Sequence, residues 1–568
     1  MNRRIPFLKW LPGYGKYDLA GDVPAGLTVG VMLVPQGMAY ALIAGLPVEY
    51  GLYAALVPPV IYALLGTSRT LAVGPVAMDS LLVASGLAGL AVVGSERYIE
   101  LALTLAMMMG LIQCVLGTLR MGFLADFLSR PVISGFTNAA ALVIGLNQLT
   151  NLLGIPVVRS ARLHELLVSI WRELPTTDLS TLTVGALSII VLLTLRRFDF
   201  RIPGALVVAF VGTLASAQGW VVVQTVGPVP SGLPHFHIPE FSWEDIQALF
   251  PIATTLALIS FMEGFGVAKS LALVRRDHEV DASQELRAIG TANAFGSLFG
   301  AYPTTGGFSR TAVNARAGAK TPFSGLIAAG VVALALTFLT PYFQYLPKAV
   351  LGAIIVLAVT GLMDFTYFKK LWVTHRNEAL ILAITFLLTA LAGMVIGIAC
   401  GVAFSLVLTL RQTSRPHAAE LGRIHGVYRN LKRFPNAEKA PRQLILRYDG
   451  PLNYASQSHF KDFVLHQIDM RERQGDRVER IVLSAKSIAY IDASATTMLE
   501  NLIDGFKNKG IDLHWAGVIG PVRDELSKSG LMDKIGRDHF HIEVSHALGE
   551  TDRDDDDIAT QTFRTNAD

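Results

Sequence analysis

Two glycines, a serine and an arginine close the run Tyr302-Pro303-Thr304-Thr305-Gly306-Gly307-Phe308-Ser309-Arg310, inside an otherwise apolar stretch of chain. The glycines let the backbone turn without a Cβ clash. A helix that starts here leaves its first amides without internal acceptors, and such an end favours an anion. A guanidinium in the first turn is electrostatically awkward unless an anion lies between. Ser309 is the expected N-cap, with Arg310 just inside. A second run, Ala72-Val73-Gly74-Pro75-Val76-Ala77, has the same character. Gly74 permits close approach, and Pro75 suits a first helical position. The chemistry is recognition, not bond-making: the helix openings at Gly74, Pro75, Val76, Ala77 and at Phe308, Ser309, Arg310 form a candidate anion site. The plainer alternatives are a basic residue outside the membrane and an ordinary proline-started helix.

Glu263 is the second candidate, in Leu258-Ile259-Ser260-Phe261-Met262-Glu263-Gly264-Phe265. A carboxylate at membrane depth is costly and marks function by default. Beside an anion site it repels the anion, and a proton removes the repulsion. Proton and anion would then bind and cross together. The alternative is a permanent salt bridge with Arg310 or another base. A sodium site is less well served, because the first segment has no carboxylate. Gln36 and Tyr40, one turn apart after Pro35, are neutral donors that either complete the anion's shell or pack between helices. Asp79 has an open role; Asn293, Thr304 and Thr305 are weaker candidates; His235 and His237 read as solvated loop residues.

These residues need a membrane to sit in. The 568-residue chain is 52% hydrophobic and 16% charged, with mean hydropathy +0.45, which is membrane-protein composition. Fourteen apolar segments recur at 25–45, 50–65, 75–93, 99–118, 131–152, 181–195, 203–221, 249–268, 285–299, 309–317, 323–341, 348–362, 377–392 and 394–410. Several fall short of the ~20 residues that cross the hydrocarbon. The third and tenth are short and opened by Gly or Pro, the mark of a site in inverted-repeat transporters. Gln36-Gly37 in the first segment and Glu263-Gly264 in the eighth correspond in the same way, so two inverted seven-segment halves are expected. Every second loop is basic, apart from Arg159, Arg162 and Arg172 in an intervening one. This places both termini in the cytoplasm.

Several classes are excluded. Cys114 and Cys400 lie far apart in apolar segments, with no disulfide framework or metal-ligand spacing, and read as small buried side chains. The basic start, Arg3 and Arg4, lacks a following cleavage signal. Net charge is only +3, with no basic stripe for nucleic acid. No catalytic set appears; no enzyme, metal or cofactor is expected.

The chain reads as a membrane domain over 1–412, a linker over 413–439, a small α/β domain over 440–546 and a disordered acidic tail over 547–568. Strand-like runs start at Gln443, Arg480 and Ile511. Helices are expected over Ser456–Met470, Ser494–Lys507 and Pro521–Ser529. The tail contains Asp552-Arg553-Asp554-Asp555-Asp556-Asp557.

Val34-Pro35-Gln36-Gly37-Met38-Ala39-Tyr40-Ala41, Gly66-Thr67-Ser68-Arg69 with Val73-Gly74-Pro75, and Asn293-Ala294-Phe295-Gly296 leading to the run ending Thr311-Ala312-Val313-Asn314 together resemble the SulP anion transporter family. The resemblance covers nearly the whole chain, and its tail resembles the STAS domain. It implies a core and a gate domain, homodimers, and transport of sulfate, chloride, bicarbonate, oxalate or dicarboxylates. It places the anion between the third and tenth helices and gives Glu263 the position of the acidic residue in proton-coupled relatives. One departure is Asp492-Ala493-Ser494, where related regulatory domains carry a phosphoacceptor hydroxyl at the middle position. Ala493 has none, Ser494 is the expected helix cap, and protein contact or coupling to the membrane domain is the expected role of this domain. The overall expectation is proton-coupled sulfate uptake across the cytoplasmic (inner) membrane. The alternatives are a dicarboxylate or bicarbonate transporter, and an anion channel or transport-dead sensor.

Overall fold

The computed structural model describes residues 6–123, 129–156, 160, 162–197, 204–275, 279–361 and 363–549. The chain divides into two compact units, 1–405 and 406–568.

The first unit is helical. In hydrocarbon every backbone amide and carbonyl must be satisfied within the protein, and a helix does this inside one segment. Its helices include α1 (Lys16–Ala44), α2 (Val57–Leu65), α3 (Ala77–Leu87), α4 (Glu96–Thr118), α5 (Arg130–Asn147), α6 (Leu179–Arg197), α7 (Trp243–Arg275), α8 (Ala282–Ser297), α9 (Phe308–Arg316), α10 (Phe323–Leu334), α11 (Lys348–Thr360) and α12 (Arg376–Ala392). Among the described residues, nine helices are long and apolar enough to cross a membrane. α3 and α9 are not among them, being short as expected. α1 packs on α10, α4 on α7 and α8, α2 on α8 and α10, α5 on α12, and α6 on α11. Small residues let these backbones approach. A Cβ on Gly110 of α4 would stand 2.4 Å from the backbone nitrogen of Ala294 in α8. Cys114 is half-buried and Cys400 exposed, so the expectation of two buried thiols is corrected at Cys400.

The second unit is a six-stranded sheet in the order β4-β3-β5-β6-β7-β8. Its strands are β3 (His417–Ile424), β4 (Val427–Asn430), β5 (Gln443–Asp449), β6 (Arg480–Ser484), β7 (Asp512–Ala516) and β8 (Phe540–His541). β5, β6, β7 and β8 run parallel, whereas β3 is antiparallel to both neighbours. Helices Gln457–Arg473, Ala493–Lys509 and Gly520–Lys528 lie where the sequence places them. Alternate residues of β5, Leu444, Leu446 and Tyr448, share a core with Ile481, Leu483 and Trp515. The stretch read as a linker carries β3 and β4, which extend the sheet. Its Ala-Glu-Leu and Val-Tyr-Arg pieces are too short and mixed to announce strands alone; pairing with β5 makes them so. Asp492, not Ser494, caps its helix, accepting from the Ala495 amide at 2.9 Å. Residues 547–549 of the expected tail are ordered at the end of helix Val544–Ala547, and 550–568 lie outside the described residues.

Candidate anion-binding site

Two short strands, β1 (Val73–Gly74) and β2 (Thr305–Gly306), pair antiparallel ahead of the half-helices, with Val73 opposite Gly306 and Gly74 opposite Thr305. The Gly307 amide extends the ladder to the Ala72 carbonyl at 3.1 Å. α3 then begins at Ala77, three positions after the end of β1 at Gly74, and α9 at Phe308, two positions after the end of β2 at Gly306. The ladder therefore holds both openings at one place, and because it is antiparallel the two half-helices leave from its opposite ends. Gly74 has φ +153°, which favours glycine.

The caps differ from expectation. Val76 is the N-cap of α3, so Pro75 lies outside the helix. Gly307 is the N-cap of α9, which places Ser309 inside the first turn with its side chain exposed. The physical reason is the β-pairing: it holds Gly74 and Thr305–Gly306 extended and delays both helices until the ladder ends. Phe308 is 61% exposed.

Arg310 is 2% exposed. Its Nη1 donates to the Pro75 carbonyl at 2.6 Å. Its Nε and Nη2 are buried without a hydrogen-bond partner. A buried guanidinium with two idle donors costs free energy, and an oxyanion is the acceptor that fits a planar fork. The glycines make the room: a Cβ on Gly307 would fall 2.8 Å from Nη2, and one on Gly74 would fall 3.5 Å from it.

Glu263 projects from α7 with Oε2 buried and unpartnered. It lines a cavity of about 80 Å³ with Met78 of α3, Val132 and Phe136 of α5, and Ile259 and Met262 of α7. Apart from Glu263 these named walls are hydrocarbon. Arg310 and Tyr40 stand within electrostatic reach of Glu263. The free Glu263 and Arg310 atoms leave the expected alternative of a tight salt bridge unformed. Gln36 of α1 is buried with Oε1 unpartnered, and Tyr40, one turn on, is buried as well. The structure thus brings Tyr40, Glu263, Arg310 and the two openings together.

The weaker candidates turn out to be scaffold. Asn293 Oδ1 accepts from the Thr304 amide at 2.7 Å, and its Nδ2 donates to the Thr304 carbonyl at 2.9 Å. Thr305 Oγ1 donates to the Ser260 carbonyl at 2.6 Å. Asn314 Nδ2 donates to the Thr70 carbonyl at 2.9 Å. These bonds fix the broken segment against α7, α8 and the approach to β1. His235 is exposed, but His237 is not merely solvated: its Nε2 lies 2.8 Å from Glu100 Oε1.

Sequence reasoning passed over Glu285 at the start of α8. This fully buried carboxylate accepts from Tyr62 Oη at 2.7 Å, Thr67 N and Oγ1 at 2.6 Å each, and Ser68 N at 3.3 Å. Asp22, also fully buried, accepts from the Lys320 and Thr321 amides at 2.7 and 3.0 Å. A carboxylate at the edge of an apolar segment was the available signal for both.

The chain matches the profile of the sulfate permease family over residues 19–385. The protein belongs to the sulfate permease family. A STAS domain match follows over residues 434–547. Family members similar along most of their length include the chloroplastic sulfate transporter 4.1 of Arabidopsis thaliana, 37% identical over 96% of this chain and 82% of its own. A probable sulfate transporter of Mycobacterium tuberculosis is 36% identical over 95% of this chain and 97% of its own. Among solved structures, the murine Solute Carrier 26 family member A9 anion transporter superposes with TM-score 0.89 at 27% identity, covering 96% of this chain and 93% of that one. The transmembrane domain of the cyanobacterial bicarbonate transporter BicA shares the fold, with TM-score 0.60 at 22% identity over 69% of this chain and 98% of its own. This sulfate permease family member is a polytopic membrane anion transporter with a C-terminal STAS domain.

Proposed function

We propose that this protein imports sulfate together with protons across the cytoplasmic membrane. The observation that carries the reading is Arg310, buried between two helix openings with two donors idle. A tetrahedral oxyanion can accept from that fork and from the amides at Val76, Ala77, Phe308 and Ser309, with Gln36 and Tyr40 completing the shell. Part of the positive potential comes from the partial charges of the two helix ends and only one full charge, Arg310, is present, so binding is selective for anions without being too tight for release.

Glu263 couples the anion to the proton. With the acid ionised, an anion faces both the charge and its own desolvation; with the acid neutral, only the desolvation remains. Moving a divalent anion into a negative interior costs ~2.3 kcal/mol per charge per 100 mV, and each proton carried along offsets one charge.

The membrane unit reads as fourteen segments in two inverted seven-segment repeats. The packing supports this. α1 on α10 exchanges with α7 on α4, α5 on α12 exchanges with α11 on α6, and the β1–β2 pair maps onto itself. The segments around α1–α4 and α7–α10 would form the core, and those around α5, α6, α11 and α12 the gate, alternating access as one slides past the other. We take both termini to be cytoplasmic, the working unit to be a homodimer and the STAS domain to contact another protein.

The test is labelled sulfate uptake into proteoliposomes with an imposed pH gradient and competing anions. Acid outside should accelerate uptake, and Glu263→Gln should remove that dependence while the protein stays folded. Unchanged proton coupling in the variant rejects the role given to Glu263. Stronger competition by a dicarboxylate or bicarbonate than by unlabelled sulfate reassigns the substrate on the same scaffold.

A further inference from the structure

Asp79 sits one turn inside α3, fully buried, and neither of its carboxylate oxygens accepts a hydrogen bond. The contrast with the other buried carboxylates of this unit is chemical. Glu285 is held by two backbone amides and two hydroxyls, and Asp22 by two amides and the Thr321 hydroxyl. Those two have the donors that an ionised carboxylate requires. Asp79 has no donor within full hydrogen-bonding distance; the Ser260 hydroxyl of α7 reaches towards it from farther off. Ser260 Oγ also lies 3.5 Å from the Thr304 carbonyl, so it is shared between the two. The adjacent Ser80 shares its hydroxyl with Tyr302 at 2.9 Å and donates to the Val76 carbonyl at 2.7 Å. A negative charge in this position is weakly compensated, and a divalent anion arriving beside it makes it strongly disfavoured; a proton then removes it.

The surroundings tie Asp79 to the transport site. α3 packs against α1, α4, α5 and α7. From α7 the facing ionisable group is Glu263, whose carboxylate feels Asp79. Arg310 of α9 and Tyr40 of α1 act on the same cluster through Tyr302 and Glu263. On α4 and α5 the ionisable groups are engaged elsewhere. Arg97 pairs with Asp245, Tyr98 bonds the Ala44 carbonyl, Glu100 holds His237, Cys114 lies against Thr291 and Arg130 covers Tyr367. Glu96 opens its helix at the far end of α4. Two carboxylates in one buried cluster, with a single guanidinium already tied to a carbonyl, leave charge that protons must balance once an anion joins them.

We infer that Asp79 is a second protonation site of the transport centre, so that the centre takes up two protons, one on Asp79 and one on Glu263, for each divalent anion bound. This rests on the proton-coupled reading above and extends it to a stoichiometry: two protons and one divalent anion cross without net charge. Asp79 is a proton-carrying residue beside the anion and is not one of its ligands.

The test measures protons taken up when sodium sulfate is added to the purified full-length protein in weakly buffered detergent solution. Wild type should take up two per sulfate bound, Asp79→Asn one, and Asp79→Glu two. Difference infrared spectra of the folded protein should show a protonated-carboxyl carbonyl band that disappears in Asp79→Asn and returns, shifted, in Asp79→Glu. In proteoliposomes, sulfate uptake by wild type should not respond to an imposed potassium diffusion potential, whereas uptake by Asp79→Asn should slow when the interior is negative. An Asp79→Asn protein that keeps the wild-type proton count and carbonyl band overturns the assignment. If wild type takes up one proton and Glu263→Gln none, the single-site reading survives and Asp79 fails alone. If wild type takes up none, proton coupling itself fails.

Discussion

The Arg310 guanidinium donates through Nη1 to the carbonyl of Pro75 at 2.6 Å, so the cation of one half-helix is fastened to the entry of the other. The two openings cannot separate without breaking that bond and the β1–β2 ladder. The guanidinium keeps two further donors, Nε and Nη2, buried without a partner.

Arg310→Lys tests the fork. An ammonium keeps the charge but cannot hold Pro75 and present two further donors in one plane. Hydrogen bonds to charged groups contribute about 1.5–3 kcal/mol, so sulfate affinity should fall roughly tenfold to a hundredfold. Binding isotherms on purified protein decide this, and an unaltered affinity moves the site elsewhere.

Gly307→Ala separates function from folding. The backbone at Gly307 has φ −82°, which alanine adopts freely. Its Cβ would fall 2.8 and 2.9 Å from Nη2 and Cζ of Arg310. The guanidinium must swing aside, which costs little in stability because it is the end of a long side chain. Uptake should drop severalfold with nearly unchanged thermal melting. Gly330→Ala in α10, where a Cβ meets nothing within 4 Å, is the control and should transport normally.

Glu285→Gln should lower stability. The amide keeps one acceptor, but its NH₂ faces either the Tyr62 hydroxyl or the amides and hydroxyl at Thr67 and Ser68 that now donate to the carboxylate. The expected loss is about 1.5–3 kcal/mol, seen as a lower midpoint in detergent melts followed by size exclusion. A midpoint equal to wild type would show that the network is dispensable.

His514 makes the second unit acid-sensitive. It is buried on β7, stacks on His539 at 4.2 Å and lies 2.9 Å from His541 through its Nδ1. Burial first, then the charges of His539 and Arg480, push its pKa down to about 4. The unfolded chain then binds a proton that the folded chain refuses, so stability is full above about pH 6.5 and falls as pH drops towards 4. Between pH 6.5 and 5 the loss is about 2 kcal/mol at most. Hydrogen exchange of the β7 and β8 amides should report it, and His514→Gln should flatten the dependence.

Much of this was legible in the chain. Glycine and proline at Gly74-Pro75 and Gly306-Gly307 break apolar segments whichever neighbours they meet, because the restriction is local to the backbone. Glu263 and Arg310 announce themselves because charge in hydrocarbon is costly in any arrangement. The parallel strands β5, β6 and β7 are short apolar runs between amphipathic helices and read as such. What the chain could not disclose is who meets whom. The caps at Val76 and Gly307 follow from pairing between residues distant in sequence, and β3 and β4 are strands only because β5 offers an edge. Asp79 and Glu285 are both buried carboxylates, and no local pattern tells them apart; Glu285 is met by Tyr62, Thr67 and Ser68, whereas Asp79 is approached by Ser260 from beyond full hydrogen-bonding distance. Local sequence sets the demand of each polar group, and the supply comes from other helices, so tertiary structure alone decides which charge is satisfied and which is left short of partners.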